Sequence, residues 1–277
     1  MRKFYLQLVW LLCAGTGFAQ NAPADGERDL GFTDTPILPG LRWHVHDPAR
    51  PHAPLVKPSS MLSGAPSDAV VLFDGTSLSQ WHGVQSDITH QGTAGTPQWK
   101  VVEGAMEVVP KAGDLESNQK FGDMQLHLEW ASPAEVSGTS QGRGNSGIFL
   151  MNRFEVQVLD AWENPTYADG QAGAIYGQWP PLANVARKPG EWNTYDILFE
   201  APRMDGDKLL TPAYVTVIYN GVVVQNHRAA MGPTIYRHVA QYVAQPDEDS
   251  IRLQNHGNAV RFRNIWVRRL SAGSDSK

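Results

Sequence analysis

Short apolar runs separated by turn residues follow one another through most of the chain, from residue 69 to residue 270. Such runs flank Glu103-Gly104 and Asn220-Gly221, and the run Val70–Phe73 ends at Asp74-Gly75. Two-residue loops of this kind favour turns whose twist matches a pair of antiparallel strands. We therefore predict a β-hairpin at each of these three places.

The same pattern predicts an all-β fold. A fourth hairpin is expected where residues 251–254 and 259–270 flank residues 255–258. No stretch of about 12 residues repeats the apolar face of a helix. Because nothing in the chain would form parallel crossovers, we predict two packed antiparallel sheets, with a closed barrel as the alternative.

The first 19 residues have the pattern of a secretion signal. Arg2 and Lys3 precede an apolar run, and small residues end at Ala19, after which cleavage is expected. The run is shorter than the roughly 18 to 20 residues that span a bilayer. We predict an exported protein, periplasmic or extracellular, that is not inserted in a membrane.

The cysteine content agrees with a large domain. Cys13 is the only cysteine and lies inside the predicted signal. Leu12 before it is too large for a typical lipoprotein signal, so a lipid anchor is not expected. Since a small exported domain usually needs disulfides, a cysteine-free mature chain implies a core that is large enough without them.

Residues 20–68 are rich in proline and have little apolar periodicity. This composition predicts an extended leader before a domain at residues 69–271. Within the leader, His44 and His46 would share one face of a strand and are residue types that bind metals. A lone pair of histidines is more often incidental.

The overall charge and the missing motifs exclude several functions. The net charge is −5 and no basic block occurs, so nucleic acid is not an expected partner. The chain has no Gly-rich phosphate loop and neither the Gly-x-Ser-x-Gly nor the His-Glu-x-x-His motif. Acyl and phosphoryl transfer therefore lose most of their support.

Polar residues concentrate between Gly142 and Trp192. There Glu155 and Gln157 alternate with apolar residues, so both should point to one face of a strand. That face could be the floor of a cleft or a solvated outer surface. Asp160 stands at an odd offset and would join them only if the strand ended or bulged.

Aromatic residues crowd the same region. Their rings suit the apolar C–H faces of sugars, but tryptophan is also an ordinary core residue. We expect Trp192 and Trp266 in the core. The possible sugar contacts are Trp162, Tyr176 and Trp179.

Six short motifs follow one another in an order typical of one family. Because these motifs occur in that order over residues 70–270, the chain resembles the 3-keto-disaccharide hydrolase family. The motifs are Leu72-Phe73-Asp74-Gly75, Asn145-Ser146-Gly147-Ile148, Glu155-Val156-Gln157-Val158-Leu159-Asp160, Gly173-Ala174-Ile175-Tyr176, Pro189-Gly190-Glu191-Trp192-Asn193 and Phe262-Arg263-Asn264-Ile265.

The resemblance implies a concanavalin-like jelly-roll sandwich that acts on sugars oxidised at C3. A ketone at C3 acidifies the hydrogen on C2, so a base can remove it and the enolate can expel the C1 substituent before water adds. Such a route needs a base near C2, a proton donor near the glycosidic oxygen, and hydrogen-bond donors to the enolate.

The resemblance also suggests which residues act. Glu155 or His256 would be the base and Asp160 the partner acid or orienter, while Asn145, Gln157 and Arg263 would donate hydrogen bonds to the substrate. Family members often have an aspartate where this chain has Asn255, before the loop histidine. No cofactor is required by the sequence, although a divalent metal could use some of the same groups.

Two other functions remain open. A conventional glycosidase needs two carboxyl groups, roughly 5 to 5.5 Å apart if retaining and roughly 6.5 to 9.5 Å apart if inverting. The same-face neighbour of Glu155 is an amide, so Asp160 or Glu129 would have to be recruited. A sugar-binding module without catalysis is the other alternative, because a sandwich fold does not decide function.

The signal pattern predicts that the mature protein begins near Gln20 and is unaffected by reducing agents, since Cys13 is removed. Mass spectrometry of protein recovered from the cell envelope measures the N-terminus directly. An intact Met1 in that sample would contradict the prediction.

Overall fold

The computed structural model describes residues 31–61, 63–85 and 94–270, and in these ranges regular structure is almost entirely β. Two single 3-10 turns cover Ser140–Gly142 and Ala168–Gly170. The predicted all-β class is confirmed. The strands are β1 (Val70–Phe73), β2 (Trp81–Val84), β3 (Ala94–Gly95), β4 (Lys100–Val102), β5 (Ala105–Glu107), β6 (Asp114–Phe121), β7 (Met124–Ala131), β8 (Ser146–Leu150), β9 (Phe154–Val158), β10 (Asn193–Glu200), β11 (Arg203–Asp205), β12 (Lys208–Thr211), β13 (Tyr214–Tyr219), β14 (Val222–Ala229), β15 (Thr234–Ile235), β16 (His238–Val239), β17 (Asp249–Leu253) and β18 (Arg261–Arg269).

Two large antiparallel sheets make up the sandwich. The first has the order β14-β13-β10-β7-β18-β5-β4, and β1 pairs with the far end of β18. The second has the order β3-β2-β6-β17-β8-β9. Two small hairpins, β11-β12 and β15-β16, are not strands of either large sheet. Within the described residues no helix is long and apolar enough to cross a bilayer.

One continuous hydrophobic core lies between the two sheets. Leu126, Leu128 and Trp130 point into it from the eight-stranded sheet, and Val156 and Val158 point into it from the six-stranded one. Both sets are spaced two residues apart, as the alternation of side chains along a strand requires. Intervening residues of each strand therefore face outward, and the outer face of the six-stranded sheet is available for polar chemistry.

Two of the four predicted hairpins are confirmed. Glu103 and Gly104 have φ angles of 51° and 75° between β4 and β5, and Asn220 and Gly221 have 49° and 81° between β13 and β14. Positive φ at both central positions is the condition for the tight turn that matches strand twist.

The other two hairpin predictions are wrong. After Asp74-Gly75 the chain passes from β1 in one sheet to β2 in the other, and residues 255–258 likewise connect β17 to β18 across the core. The turn chemistry is local in both cases: the Asp74 carboxylate accepts hydrogen bonds from Thr76. A local turn serves a crossover as well as a hairpin, so the turn residues alone do not distinguish them.

Part of the predicted leader packs on the outer face of the eight-stranded sheet. The Ser63 hydroxyl donates to Glu129 at 3.1 Å, and the Ser63 carbonyl accepts from Asn264 at 2.8 Å and Trp266 at 3.0 Å. Residues 54–68 thus belong to the same compact unit as the sandwich. Trp266 is buried, although under Ser63 on this outer face and not in the cluster between the sheets, whereas Trp192 is only half-buried, against the prediction of a core position.

Residues 31–53 belong to a separate compact unit. Its only described pairing is an isolated bridge between Ile37 and His44, and His46 has a φ of 61°, outside the extended region. The two histidines therefore do not share a strand face, which corrects that inference. Among the described residues, no three of His, Cys, Asp and Glu come together as a metal site.

The core position of Val156 leads to a stability prediction. Val156→Asp would bury an unpaired carboxylate between the sheets and should lower the free energy of unfolding by at least about 3 kcal/mol. Val223→Asp is the control, because Val223 is 44% exposed and should tolerate the charge. Denaturant unfolding of both variants measures the difference, and equal stability would contradict the assignment of the core face.

Candidate functional site

A cavity of about 800 Å³ opens on the outer face of the six-stranded sheet, beside its edge strand β9. Five of the nine predicted site residues line it: Asn145, Glu155, Gln157, Tyr176 and His256. Glu155 and Gln157 face the cavity because Val156 and Val158 between and beside them face the core.

A row of outward side chains crosses the six-stranded sheet and ends at Glu155. The pairing register places His82 opposite Glu116, Glu116 opposite Arg252, Arg252 opposite Phe149, and Phe149 opposite Glu155. The guanidinium of Arg252 lies 4.2 Å from the centre of the Phe149 ring. Acidic and basic groups thus alternate along this row up to the cavity.

Backbone hydrogen bonds at the edge of β9 bring two further segments against Glu155. The amide of Tyr176 donates to the Glu155 carbonyl at 3.1 Å, and the amide of Gln157 donates to the Ala174 carbonyl at 3.0 Å. The Glu155 amide donates to the hydroxyl of Thr234 at 3.0 Å. The edge of the sheet is therefore covered on the cavity side by the Tyr176 segment and the β15-β16 hairpin.

The Glu155 carboxyl is buried, with only 5% of the residue exposed. Burial raises its pKa to about 8, while the charge of Arg252 opposes the rise and that of Asp114 adds to it. Gly147 makes room for this carboxyl, because a Cβ at Gly147 would overlap Glu155 Oε1. A proton is therefore held on Glu155 more tightly than on an ordinary glutamate.

One amide side chain contacts the Glu155 carboxyl and a second lines the same cavity. In the orientation that satisfies both ends of its amide, the nitrogen of Gln157 donates to Glu155 Oε1 and to the Ser146 carbonyl, each at 3.1 Å. The Asn145 amide donates to the Gln141 carbonyl at 2.7 Å. These groups are neutral donors and acceptors placed beside one titratable acid.

Two tyrosines form the neighbouring part of the cavity wall. The hydroxyl oxygens of Tyr167 and Tyr176 are 2.6 Å apart. Burial raises the pKa of both phenols, so both stay protonated near neutral pH. They can donate hydrogen bonds or a proton to a ligand oxygen.

His256 lies on the exposed loop after β17 and reaches the cavity. Its neighbour Asn255 points elsewhere: the Asn255 amide donates to the carbonyls of Val109 at 2.7 Å and Gly113 at 3.1 Å. Asn255 therefore holds the loop to the sandwich through these backbone contacts.

The structure places Asp160 outside the cavity. Strand β9 ends at Val158, and the Asp160 carboxylate accepts from Arg143 Nε at 2.7 Å and from the Trp162 amide at 3.1 Å. Asp160 and Arg143 line a different, smaller cavity of about 190 Å³. The turn that follows β9 thus directs this acid into an ion pair.

Three predicted substrate contacts also lie elsewhere. Trp179 packs against the core and donates from its indole to the Ala229 carbonyl at 2.9 Å, and Trp162 lies near Lys188. Arg263 donates to Glu129 at 2.7 Å on the outer face of the opposite sheet. None of these side chains lines the large cavity.

Several cavity residues were not singled out from the sequence. They come from three segments that are distant along the chain: residues 139–142, Tyr167, and the hairpin of β15 and β16 with Thr234, Ile235, Tyr236 and His238. Tyr167 belongs to the aromatic cluster seen in the sequence, but the hairpin has no catalytic signature. Only its packing beside β9 reveals it.

The raised pKa of Glu155 predicts a pH-dependent stability difference. Because the folded-state pKa lies above the usual 4.5, the carboxyl's stabilising contribution is complete below pH 4.5 and is lost as pH rises to about 8. The loss should be about 1.4 kcal/mol per pH unit. Glu155→Gln lacks this loss, so its stability relative to the native protein should increase from pH 5 to pH 8.

Denaturant unfolding of the two proteins across this pH range measures the difference. Glu129→Gln is the comparison at another buried carboxyl, whose pKa lies below the usual value, so it should not reproduce the trend between pH 5 and pH 8. A difference that stays constant with pH for Glu155→Gln would show that Glu155 has an ordinary pKa.

Comparison with known proteins identifies relatives of the whole sandwich. Residues 68–268 match the model of a family described as the 3-keto-alpha-glucoside-1,2-lyase-like domain. A Bacteroides thetaiotaomicron protein named 3-keto-disaccharide hydrolase is 24% identical over 244 residues, which cover 73% of this chain and 78% of that protein.

Solved structures also resemble this chain over most of its length. A Parabacteroides distasonis protein assigned as a glycosyl hydrolase is 46% identical, with a TM-score of 0.74, over 79% of this chain and 93% of that one. A second protein of that organism, assigned in the same way, is 19% identical with a TM-score of 0.53 over 74% and 94%, and shows the shared fold. With a family match over most of its length and a close structural relative, the chain belongs to the 3-keto-alpha-glucoside-1,2-lyase-like family, the 3-keto-disaccharide hydrolases.

Proposed function

We propose that this protein is an exported enzyme that cleaves the glycosidic bond of 3-keto-glycosides, including 3-keto-disaccharides, by elimination and hydration. One observation carries the proposal: among the described residues that line the large cavity, Glu155 is the only carboxylic acid. A conventional glycosidase needs two. A route through an enolate needs a single strong base with hydrogen-bond donors around it.

Glu155 is suited to be that base. A pKa of about 8 makes its carboxylate a stronger base than an ordinary glutamate while leaving part of it ionised near neutral pH. The carboxylate takes the proton from C2 of the 3-keto sugar, and the electron pair of that C–H bond moves into the enolate. The amides of Gln157 and Asn145 and the ring of His256 line the same cavity and are the groups that we assign to the enolate oxygen.

The enolate then expels the C1 substituent. The C1–O bond breaks with its electron pair on the departing oxygen, and the phenol of Tyr176, which lines the cavity, supplies the proton to that oxygen. Water adds its hydroxyl to C1 of the resulting enone and its remaining proton returns to the Tyr176 phenolate, while C2 recovers a proton from Glu155. The net reaction consumes one water and releases the free alcohol and the 3-keto sugar.

Export and an oxidised substrate are part of the same proposal. The signal pattern of residues 1–19 supports export, and the family and its Bacteroides relative support a substrate with a ketone at C3. No cofactor is required by the route, since the substrate's own ketone stabilises the carbanion. The route does not use the divalent metal that the sequence analysis named as an alternative.

A sugar-binding module is the second candidate, because Tyr167, Tyr176 and Tyr236 line the cavity as aromatic platforms suited to a pyranose. The purified protein should be incubated with a plain disaccharide and with its 3-keto derivative. Release of sugar from the keto form alone supports the proposal. Release from the plain form would support a conventional glycosidase, and binding without release would support a module.

The base assignment predicts the effect of one substitution. Glu155→Gln should lower kcat on a 3-keto-glycoside by ~10²- to 10⁴-fold with the fold intact. Because the base acts as its carboxylate, kcat/KM of the native enzyme should rise with pH and level off above about 8.

Glu116→Gln is the matched control, since Glu116 lies in the same cross-strand row but outside the cavity lining. It should keep most of the activity. Full activity of Glu155→Gln would remove Glu155 from the mechanism and leave His256 as the base to test.

A further inference from the structure

We infer that the leaving-group side of this cavity is a subsite for an apolar or aromatic aglycone, formed by the β15-β16 hairpin together with Tyr167. The inference rests on the proposed function, because it assigns the departing half of that substrate. Ile235 and Tyr236 carry the contact. The substrate class is therefore a 3-keto-glycoside of a phenol or an apolar alcohol.

The cavity lining divides by chemistry. The amide groups come from residues 141–157 and from Gln254, whereas the exposed apolar and aromatic side chains Ile235 and Tyr236 come from the hairpin, together with the polar Thr234 and His238. Glu155 stands next to the hairpin, because its backbone amide donates to the Thr234 hydroxyl at the base of the hairpin, while Gln157 follows two residues later on the same strand. A sugar ring held by the amides would then have its C1 substituent on the hairpin side.

The hairpin leaves two large hydrophobic side chains exposed at the cavity. Ile235 is 44% exposed and Tyr236 is 66% exposed, although both line the cavity. Within the β15-β16 pair, Ile235 stands directly opposite His238, so these two side chains share the cavity face. Exposed apolar side chains at the rim of a polar site are typical of a ligand-binding surface.

Sugar hydroxyls need hydrogen bonds when they leave water. Thr234, His238 and the Tyr236 hydroxyl could serve a second sugar ring at this wall, but the exposed side chain of Ile235 offers no such bond. The hydroxyls of Tyr167 and Tyr176 contact each other at 2.6 Å, and Tyr176 is assigned to the glycosidic oxygen. An apolar ring instead gains free energy from removing Ile235 and the aromatic faces of Tyr236 and Tyr167 from water. This removal is the main driving force for such contacts.

The size of the cavity accommodates both halves of the substrate. Its volume of about 800 Å³ lies in the upper part of the range of about 300 to 1,000 Å³ usual for small-molecule sites. A monosaccharide alone would leave much of that volume unfilled. A second ring of similar size fills the remainder against the hairpin.

The test compares three 3-keto-glucosides whose leaving groups differ in surface. Methyl and cyclohexylmethyl glycosides release alcohols of similar acidity. The difference between their kcat/KM values therefore reports contact with the hairpin and not leaving-group chemistry. The third is a 3-keto-disaccharide, which releases a sugar. We expect kcat/KM for the cyclohexylmethyl compound to exceed both others by about 10-fold or more.

Ile235→Asn should lower kcat/KM for the cyclohexylmethyl compound about 10-fold and leave kcat/KM for the other two compounds unchanged, so the preference falls by the same factor. Val239→Asn is the matched control, because Val239 lies on the same hairpin, opposite Thr234, outside the cavity lining and 69% exposed. It should leave the preference unchanged. Equal kcat/KM for all three substrates, or equal effects of the two variants, would overturn the inference.

The same design separates the inference from the proposed function. Cleavage of the methyl compound tests the function by itself, since its methyl aglycone is too small to cover the apolar side chains of the hairpin. If none of the compounds is cleaved, calorimetric binding of the three to the native protein and to both variants still decides the subsite. A Kd preference for the cyclohexylmethyl compound that Ile235→Asn removes supports it, and no preference overturns it.

Discussion

The burial of a single carboxyl group on the outer face of a sheet is the constraint on which the candidate site depends. β9 commits Val156 and Val158 to the core, so the intervening Glu155 and Gln157 have to face the other side. Ordinarily that side would be solvated. Here segments from elsewhere in the chain cover the free edge of β9 and exclude water, and the resulting desolvation raises the pKa of Glu155.

A buried acid of this kind costs stability, and the surrounding charges decide how large the cost is. Arg252 is fully buried two strands away, with its guanidinium stacked on Phe149 and 3.7 Å from the Asp114 carboxylate. Its positive charge favours the ionised form of Glu155, whereas Asp114 disfavours it. The balance leaves a carboxyl that can still ionise near neutral pH, which a base removing a proton from carbon requires.

The two sheets of the sandwich have taken different roles. The outer face of the six-stranded sheet presents the cavity, while that of the eight-stranded sheet is occupied by a network around Glu129. There Arg263 donates to Glu129, and Ser63 and Asn264 complete its hydrogen bonds. These contacts lower the pKa of Glu129 although burial alone would raise it, so this acid stays ionised and structural. The contrast with Glu155 shows that partners, more than burial, decide which acid is free to react.

The sequence alone determined the all-β class, two of the turns and the outward direction of Glu155 and Gln157, because each depends on residues that are close along the chain. A two-residue period or a pair of residues with positive φ is readable without knowing the partner strand. The family resemblance was also readable, because short motifs keep their order. Only the tertiary structure decided that the turns at Asp74-Gly75 and residues 255–258 cross between sheets, since a turn does not specify which strand its neighbour pairs with. It also decided that Asp160 and Arg263 are held in ion pairs away from the cavity, and that a hairpin about 80 residues beyond Glu155 packs against it. These are contacts between distant segments, and their energies come from packing that no local pattern records.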